Sequence, residues 1–244
     1  MKNIFLSLFI ASFLFFIISV VPNEFFLPAV AGGTLVFGIL IFKFLGNKEA
    51  LAFLVLSLAY VLLFQLQHVN TLYMQLGMGF FSLYFLWDEK ESLLKGKGKL
   101  WRRILDGILL FVVMILAGII MNLALNLIGF NDSDKAVDVV QELPVYLLII
   151  AFTLVPITEE LFFRGLLITT FGKYAGAWGG AIISSIIFGV THASYGSVVE
   201  ILGATLLGMV ISAYYVRKGD LLPCMIAHAI FNFLSILAMT FLMG

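Results

Sequence analysis

The sequence predicts an all-α fold, a polytopic transmembrane helical bundle with a conical polar cavity in its C-terminal half. Hydrophobic residues occupy 62% of the 244 positions, charged residues occupy only 11%, and the mean hydropathy is +1.13. A soluble domain is closer to half apolar and a quarter charged. Apolar runs long enough to cross a bilayer recur along the chain. Because the formal net charge is zero, no overall field favours nucleic acid as a partner.

Nine apolar runs are candidate spans, since a span needs about 20 apolar residues at 1.5 Å rise each. The first run resembles a signal peptide but lacks a small-x-small cleavage pattern, which favours an uncleaved span. Two runs, 71–87 and 179–194, are short, so eight spans with one re-entrant or interfacial piece is an alternative. The nine runs are 4–21, 28–45, 50–67, 71–87, 104–128, 143–167, 179–194, 197–216 and 221–243.

The charged connections predict how the bundle is oriented. The connection from Asp88 to Arg103 has six basic residues against three acids, whereas the one from Asn131 to Glu142 has four acids against one lysine. By the positive-inside rule the first connection is cytoplasmic. With nine spans the N-terminus is then cytoplasmic too. The sequence therefore predicts an integral, multi-pass protein of the cell membrane. Spans in residues 1–103 have almost no buried ionisable groups and are predicted to be a scaffold or lid, and residues 104–244 are predicted to form the catalytic core.

The sixth span contains the most unusual stretch, in which two carboxylates and a guanidinium lie inside an apolar run. Charge in such a position is costly and tends to mark function. Glu160 and Arg164 are four residues apart, the spacing of a helical ion pair, and a buried arginine needs a carboxylate because it cannot lose its proton. This pairing leaves Glu159 to accept a proton from water. The alternative is that all three side chains form an inert polar clamp between helices.

Later spans contain two further pairs of residues at helical spacing, and each pair includes a histidine. Phe188 and His192 lie one turn apart, and so do His228 and Asn232. A histidine near a span end is often an interfacial residue, and an asparagine within a span often only links helices. Here these are the only histidines that follow the glutamates. The alternative interpretation is a site in which His228 and Asn232 offer N–H groups to an oxyanion.

These motifs together are similar to a known family. Glu159-Glu160-x-x-x-Arg164, Phe188-x-x-x-His192 and His228-x-x-x-Asn232 resemble, in the same order, the three signatures of the CAAX prenyl endopeptidase and bacteriocin-processing (CPBP, or Abi) membrane proteins. The resemblance covers roughly residues 143–243, and no departure from the core pattern occurs. It implies an intramembrane endopeptidase that cuts a membrane-bound or lipidated substrate, such as a prenylated CAAX-type protein.

The resemblance also implies roles for the site residues. Glu159 with His192 would activate water, and His228 with Asn232 would stabilise the oxyanion. Three residues, Glu160, Arg164 and Phe188, would support the site. Zinc is a possible cofactor, with Glu159, His192 and His228 as its ligands, although the His-Glu-x-x-His helix of many zinc proteases is absent. A metal-free, glutamate-dependent mechanism is the other interpretation.

Two further classes of function stay open from the sequence. Family resemblance does not guarantee turnover, so a non-catalytic membrane scaffold or bacteriocin-immunity protein is one alternative. A proton-coupled transporter that uses Glu159 and the histidines as a relay is another. A relay has no need of the Glu160–Arg164 pair or of an oxyanion-binding Asn232, which favours the protease. The sequence indicates neither an oligomeric state nor a particular substrate.

Overall fold

The computed structural model describes residues 2–18, 23–63, 69–88 and 98–241, and these are helical apart from short connections. The chain divides into two compact units, Met1–Asp88 and Glu89–Gly244. Residues 89–97, which include most of the basic connection, lie outside the described residues. The different roles predicted for the two parts of the chain stay a prediction.

The N-terminal unit is built around its first helix, which packs against the third and fourth. Its helices are α1 (Lys2–Ile18), α2 (Asn23–Phe44), α3 (Asn47–Leu63) and α4 (Val69–Phe85). Three buried rings hold it together: the centroids of Phe15 and Tyr60 lie 4.4 Å apart, and those of Tyr60 and Tyr73 lie 4.8 Å apart. The Tyr73 hydroxyl donates to the Leu56 carbonyl at 2.8 Å, which gives this buried polar group a hydrogen-bond partner.

Between residues 98 and 241, the described part of the C-terminal unit contains six helices and two irregular helical segments. A π-helical segment, Glu160–Leu167, joins two of the helices, and a 3₁₀ turn, His192–Tyr195, follows the second of them. The helices are α5 (Leu100–Leu127), α6 (Asp134–Gln141), α7 (Val145–Glu159), α8 (Ile168–Thr191), α9 (Val198–Lys218) and α10 (Leu221–Phe241). The closest packing is between α8 and α9 and between α5 and α10.

These helices confirm the predicted all-α bundle. Within the part of the chain that the structure describes, four helical stretches are long and apolar enough to cross a membrane, and two shorter helices are apolar. Their composition makes the chain an integral membrane protein. The long stretches are Leu100–Leu127, Val145–Tyr195, Val198–Lys218 and Leu221–Phe241, and the shorter ones are Lys2–Ile18 and Pro28–Phe44. The choice between eight and nine spans, and the side that each end faces, stay predictions.

The structure differs from the predicted boundaries at two places. The sixth span does not end near residue 167, because α7 continues through the π-helical segment into α8 until Gly176 breaks the helix with φ 72° and ψ 164°. This left-handed φ favours glycine, which has no Cβ. The acidic connection also contains a helix, α6, that the sequence did not predict. Its eight residues are too few for a clear period, although Ala136, Val137 and Val140 are buried along one side.

The start of α9 is tied to the connection between α5 and α6. Ser197 caps α9 by accepting from the Glu200 N–H at 3.1 Å. The Asp132 carboxylate accepts from the N–H groups of Val198 and Val199, at 2.8 and 3.0 Å, and from the Ser197 hydroxyl at 2.8 Å. The backbone N–H groups of Val199 and Val198 lower the pKa of Asp132 below its ordinary value of 3.8. This carboxylate therefore holds the helix end that directly follows the His192 turn.

We expect this tie to contribute stability that depends on pH. Because the pKa of Asp132 is lower in the folded protein, its contribution is fully present above the ordinary value of 3.8 and is lost as the pH falls through the folded value. Asp132→Ala should lower the thermal unfolding midpoint at pH 7, and the difference from wild type should shrink in acid. Asp138→Ala, which alters an exposed carboxylate of α6, is the control. Equal midpoints for wild type and Asp132→Ala at pH 7 would contradict the tie.

Candidate active site

The two adjacent glutamates lie where α7 passes into the π-helical segment. Glu160 and Arg164 are fully buried, and Glu159 is 8% exposed. The segment starts at Glu160, four residues after Pro156, which has no N–H to donate to the preceding turn. A proline inside a helix typically kinks it, and here the helix widens into a π-helical segment one turn later. Short π-helical stretches of this kind are frequent at functional sites.

The predicted ion pair is present in the structure. Arg164 Nη1 donates to Glu160 Oε1 at 2.9 Å, and Nη2 donates to the Gly208 carbonyl of α9 at 3.2 Å. The guanidinium also lies 4.8 Å from the centroid of the Phe188 ring, a cation–π contact. A Cβ at Gly208 would come within 3.1 Å of Phe188 Cδ1 and 3.4 Å of Arg164 Nη2, so the close approach of α9 depends on a glycine there. Arg164 thus links the π-helical segment to α8 and α9.

His228 of α10 bridges the two glutamates. Its Nδ1 lies 2.8 Å from Glu160 Oε1, the same oxygen that receives Arg164. Its Nε2 lies 3.8 Å from Glu159 Oε2, which is longer than a direct hydrogen bond. Since a carboxylate only accepts, Nδ1 is the donor to Glu160. The spacing predicted Arg164 as the partner of Glu160, but nothing in the local sequence predicts that His228, 68 residues away, shares its oxygen.

Both imidazoles, those of His192 and His228, lie against the Phe188 ring. Its centroid lies 4.8 Å from that of His192 and 5.8 Å from that of His228. His192 is the first residue of the 3₁₀ turn and is half-buried, and its Nδ1 lies 2.9 Å from the Phe188 carbonyl. With Nδ1 as donor to that carbonyl, the neutral ring has Nε2 as its proton acceptor. The structure therefore brings the Phe188-x-x-x-His192 motif and the His228-x-x-x-Asn232 motif next to the Glu159-Glu160-x-x-x-Arg164 motif.

Asn232 lies one turn beyond His228 and reaches α7. Its Nδ2 donates to the Ala151 carbonyl at 2.8 Å. One N–H of the amide therefore links α10 to α7, as expected for an asparagine that joins helices. The amide has a second N–H, and its use toward an oxyanion stays a prediction.

Two residues near the site were not singled out as site residues from the sequence. The Tyr195 ring stacks on His192 with centroids 6.0 Å apart, and the Tyr195 hydroxyl interacts electrostatically with Glu159 and Glu200. Glu200 also interacts electrostatically with His192. In the sequence Glu200 is only an acid in the first turn of a helix, a position that suits the helix dipole. The fold turns it toward the site by placing the start of α9 beside the 3₁₀ turn.

The site residues do not form a ready zinc centre. Among the residues that the structure describes, no three His, Cys, Asp or Glu side chains group as metal ligands. One predicted ligand, His228, directs Nδ1 to Glu160 and leaves Nε2 facing Glu159, and a carboxylate behind the ring is usual for a histidine that binds a metal. Since a catalytic zinc site takes three protein ligands, Glu159, His192 and His228 would have to move together to hold the metal.

The fold and the site define a helical membrane protein with a buried Glu-Glu-Arg-His centre. Residues 141–234 match the family model described as Type II CAAX prenyl endopeptidase Rce1-like. This match confirms the resemblance to the CPBP family predicted from the three motifs, all of which lie within it.

One curated relative matches part of the chain. The chain is 32% identical over 83 residues to an uncharacterized 24.3 kDa protein of Escherichia coli, and the alignment covers 33% of this chain and 38% of that relative. No solved structure matches the chain. The match to the Escherichia coli protein thus spans well under two thirds of the length of that relative.

We expect Glu160 and Arg164 to matter for stability because they form an ion pair in a fully buried position. Glu160→Ala and Arg164→Ala each leave a buried charge without its partner, which typically costs about 3–5 kcal/mol. Thermal unfolding in detergent should show both variants strongly destabilised. The control Glu159→Gln should stay within about 1 kcal/mol of wild type. A Glu160→Ala variant as stable as wild type would show that the structural and chemical roles of the two glutamates had been exchanged.

Proposed function

We propose that the chain is an intramembrane endopeptidase that hydrolyses a peptide bond of a membrane-associated substrate with water activated by Glu159. The observation that supports this most directly is the pair of atoms that face each other beside the ion pair. Glu159 Oε2 and His228 Nε2 are 3.8 Å apart, and the opposite side of the His228 ring is held by Glu160. A water molecule within hydrogen-bond distance of both atoms would have one acceptor and one imidazole beside it.

The first step in this proposal is the attack of water on the scissile carbonyl carbon. Glu159 takes a proton as the water oxygen forms its bond to that carbon, and the carbonyl becomes an oxyanion. His192 assists from the other side of the Phe188 ring, since its Nε2 can accept or return a proton when Nδ1 donates to the Phe188 carbonyl. Breakdown of the tetrahedral intermediate breaks the C–N bond, and the proton held by Glu159 passes to the leaving amine.

Stabilisation of the oxyanion is the task that we propose for α10. A protonated His228 donates Nδ1–H to Glu160 and has Nε2–H available for the oxyanion. The second N–H of Asn232 is the other donor, because the first is held by Ala151. Donors that are already fixed need little reorganisation when the charge develops, which is why such groups lower a barrier effectively. Removal of one donor of this kind typically costs about 10²–10³ in kcat.

The substrate in this proposal is a membrane-bound or lipidated peptide, with a prenylated CAAX-type protein as the specific candidate. The family model supports this class through its description. The apolar surroundings support it as well, because Ile157 and Ile186, on the two helices that contain the glutamates and Phe188, are exposed on the surface of the protein. A lipid-attached peptide can reach such a site along the bilayer without leaving it.

We expect Glu159→Gln to abolish cleavage and to leave the fold intact. Glutamine is nearly isosteric but cannot take the proton of water. Purified wild type and variant should be compared on a farnesylated CAAX peptide and on the same peptide without the lipid, with circular dichroism and gel filtration to verify folding. The control Glu142→Gln changes an exposed carboxylate far along the chain from the site. Undiminished cleavage by Glu159→Gln would exclude the mechanism.

The zinc question has its own test. If Glu159 and the chain's other residues suffice, treatment with a strong chelator should leave the cleavage rate within about twofold, and elemental analysis should find less than one zinc per chain. Rate loss on chelation with recovery on added zinc would instead show that Glu159, His192 and His228 rearrange into a metal site. The glutamate-dependent proposal would then be wrong in its chemistry, although not in its reaction.

The natural substrate requires a search in the cell. Membrane proteomes of strains that express wild type or Glu159→Gln should differ in the termini or lipid-attached fragments of a small set of proteins. Loss of the same products in the Glu159→Gln strain and in a deletion strain would name substrates. Identical membrane proteomes in all three strains would favour a non-catalytic scaffold.

A further inference from the structure

An ion pair outside the site fixes where α10 begins. Arg103 of α5 donates Nε to Asp220 Oδ2 and Nη2 to Asp220 Oδ1, both at 2.7 Å. The two side chains are only 12% and 6% exposed. This two-point geometry sets direction as well as distance. Asp220 Oδ1 also accepts from the Leu222 N–H at 3.1 Å, so the same carboxylate caps α10.

The packing of α5 against α10 reinforces this pair. Gly107 lies one turn after Arg103, and a Cβ there would come within 2.8 Å of Ile226 Cγ2 and 3.1 Å of the Pro223 carbonyl. The Ile226 side chain of α10 therefore packs directly against the backbone of α5 at Gly107. This contact limits how closely α10 can move toward α5, and the ion pair adds direction to the packing.

Two of the site residues, His228 and Asn232, lie after the capped end of α10, and Cys224 lies between them and Asp220. Cys224, His228 and Asn232 lie four, eight and twelve residues after Asp220, so each is about one turn beyond the last. The Cys224 thiol donates to the Asp220 carbonyl at 3.5 Å, and His228 reaches Glu160 at 2.8 Å. A small rotation at Asp220 would therefore move the His228 ring away from both glutamates.

We propose that Arg103 and Asp220 are positioning residues for the active site, which set the rotation and height of α10 and thereby place His228 between Glu160 and Glu159. This inference rests on the proposed function for its kinetic consequence. Its structural part, the placement of the imidazole, does not depend on turnover. Both residues act through α10, the helix that their ion pair anchors.

The test uses the small number of histidines in the chain. The sequence has three, so ¹⁵N-histidine labelling of the full chain in lipid nanodiscs gives three ring signatures, which single His→Gln variants assign. Arg103→Gln should change the His228 ring signature from one tautomer to a mixture, at fixed pH. Where the variant cleaves peptide, kcat should fall on the order of 10- to 100-fold with KM within about threefold, since a misplacement near 1 Å costs about that much.

Two further variants and one control make the result specific. Asp220→Asn keeps an acceptor for Leu222 but loses the charge, so it should reproduce the effect of Arg103→Gln, and the double variant should add little to either. Arg103→Lys keeps the charge with one contact point and should be intermediate, which provides a readable variant should Arg103→Gln not fold. Arg102→Gln removes the exposed neighbouring arginine, which lies 5.2 Å from the Trp101 ring, and should leave the His228 signature unchanged.

Each outcome has a definite meaning. A wild-type His228 signature in folded Arg103→Gln or Arg103→Lys would overturn the positioning role, and so would an equal change in Arg102→Gln. A changed signature in a wild-type protein that cleaves no peptide would uphold the positioning role while the proposed function fails. A wild-type signature combined with a lost kcat would assign Arg103 another role and also overturn the inference.

Discussion

The site depends on one charge that cannot be removed. The Arg164 guanidinium is fully buried and keeps its proton under all conditions that the fold survives, so the surrounding helices must supply acceptors. Glu160 and the Gly208 carbonyl do so, and the face of Phe188 covers the planar group. Glu160 lies in the same π-helical segment as Arg164, Phe188 lies in α8 and Gly208 lies in α9. The contacts of Arg164 therefore bring the π-helical segment, α8 and α9 to a common point.

That constraint also separates the roles of the two glutamates. Glu160 Oε1 receives both Arg164 and His228, so this carboxylate is occupied by two donors. Glu159 lies one residue earlier, is slightly more exposed and meets His228 only at 3.8 Å. A carboxylate oxygen that already accepts from two donors has little capacity left for a water molecule, which is why we propose Glu159 as the base. The buried Glu160–Arg164 pair orients the His228 imidazole. In the proposed mechanism the reaction occurs beside this ring.

Directional contacts also fix the starts of two helices, α9 and α10. Asp132 ties the start of α9 behind the His192 turn, and Asp220 ties the start of α10 two turns before His228. In both cases an acidic side chain caps a helix that is also bound to another element. A helix of apolar residues packed among similar helices can slide at little cost, because lipid and neighbouring side chains offer equivalent contacts. Directional contacts at the ends remove that freedom.

The sequence by itself determined the helical bundle, the order of the helices and the pairing of Glu160 with Arg164, because apolar length and four-residue spacing are local properties. Only the tertiary structure decided that His228 shares the oxygen of Glu160, that Phe188 touches both imidazoles and that Asn232 binds Ala151. These contacts join residues far apart in the chain, and their geometry depends on how helices rotate against each other. The π-helical segment and α6 were likewise beyond the local pattern, since the first depends on packing around Arg164 and the second is too short to show a period.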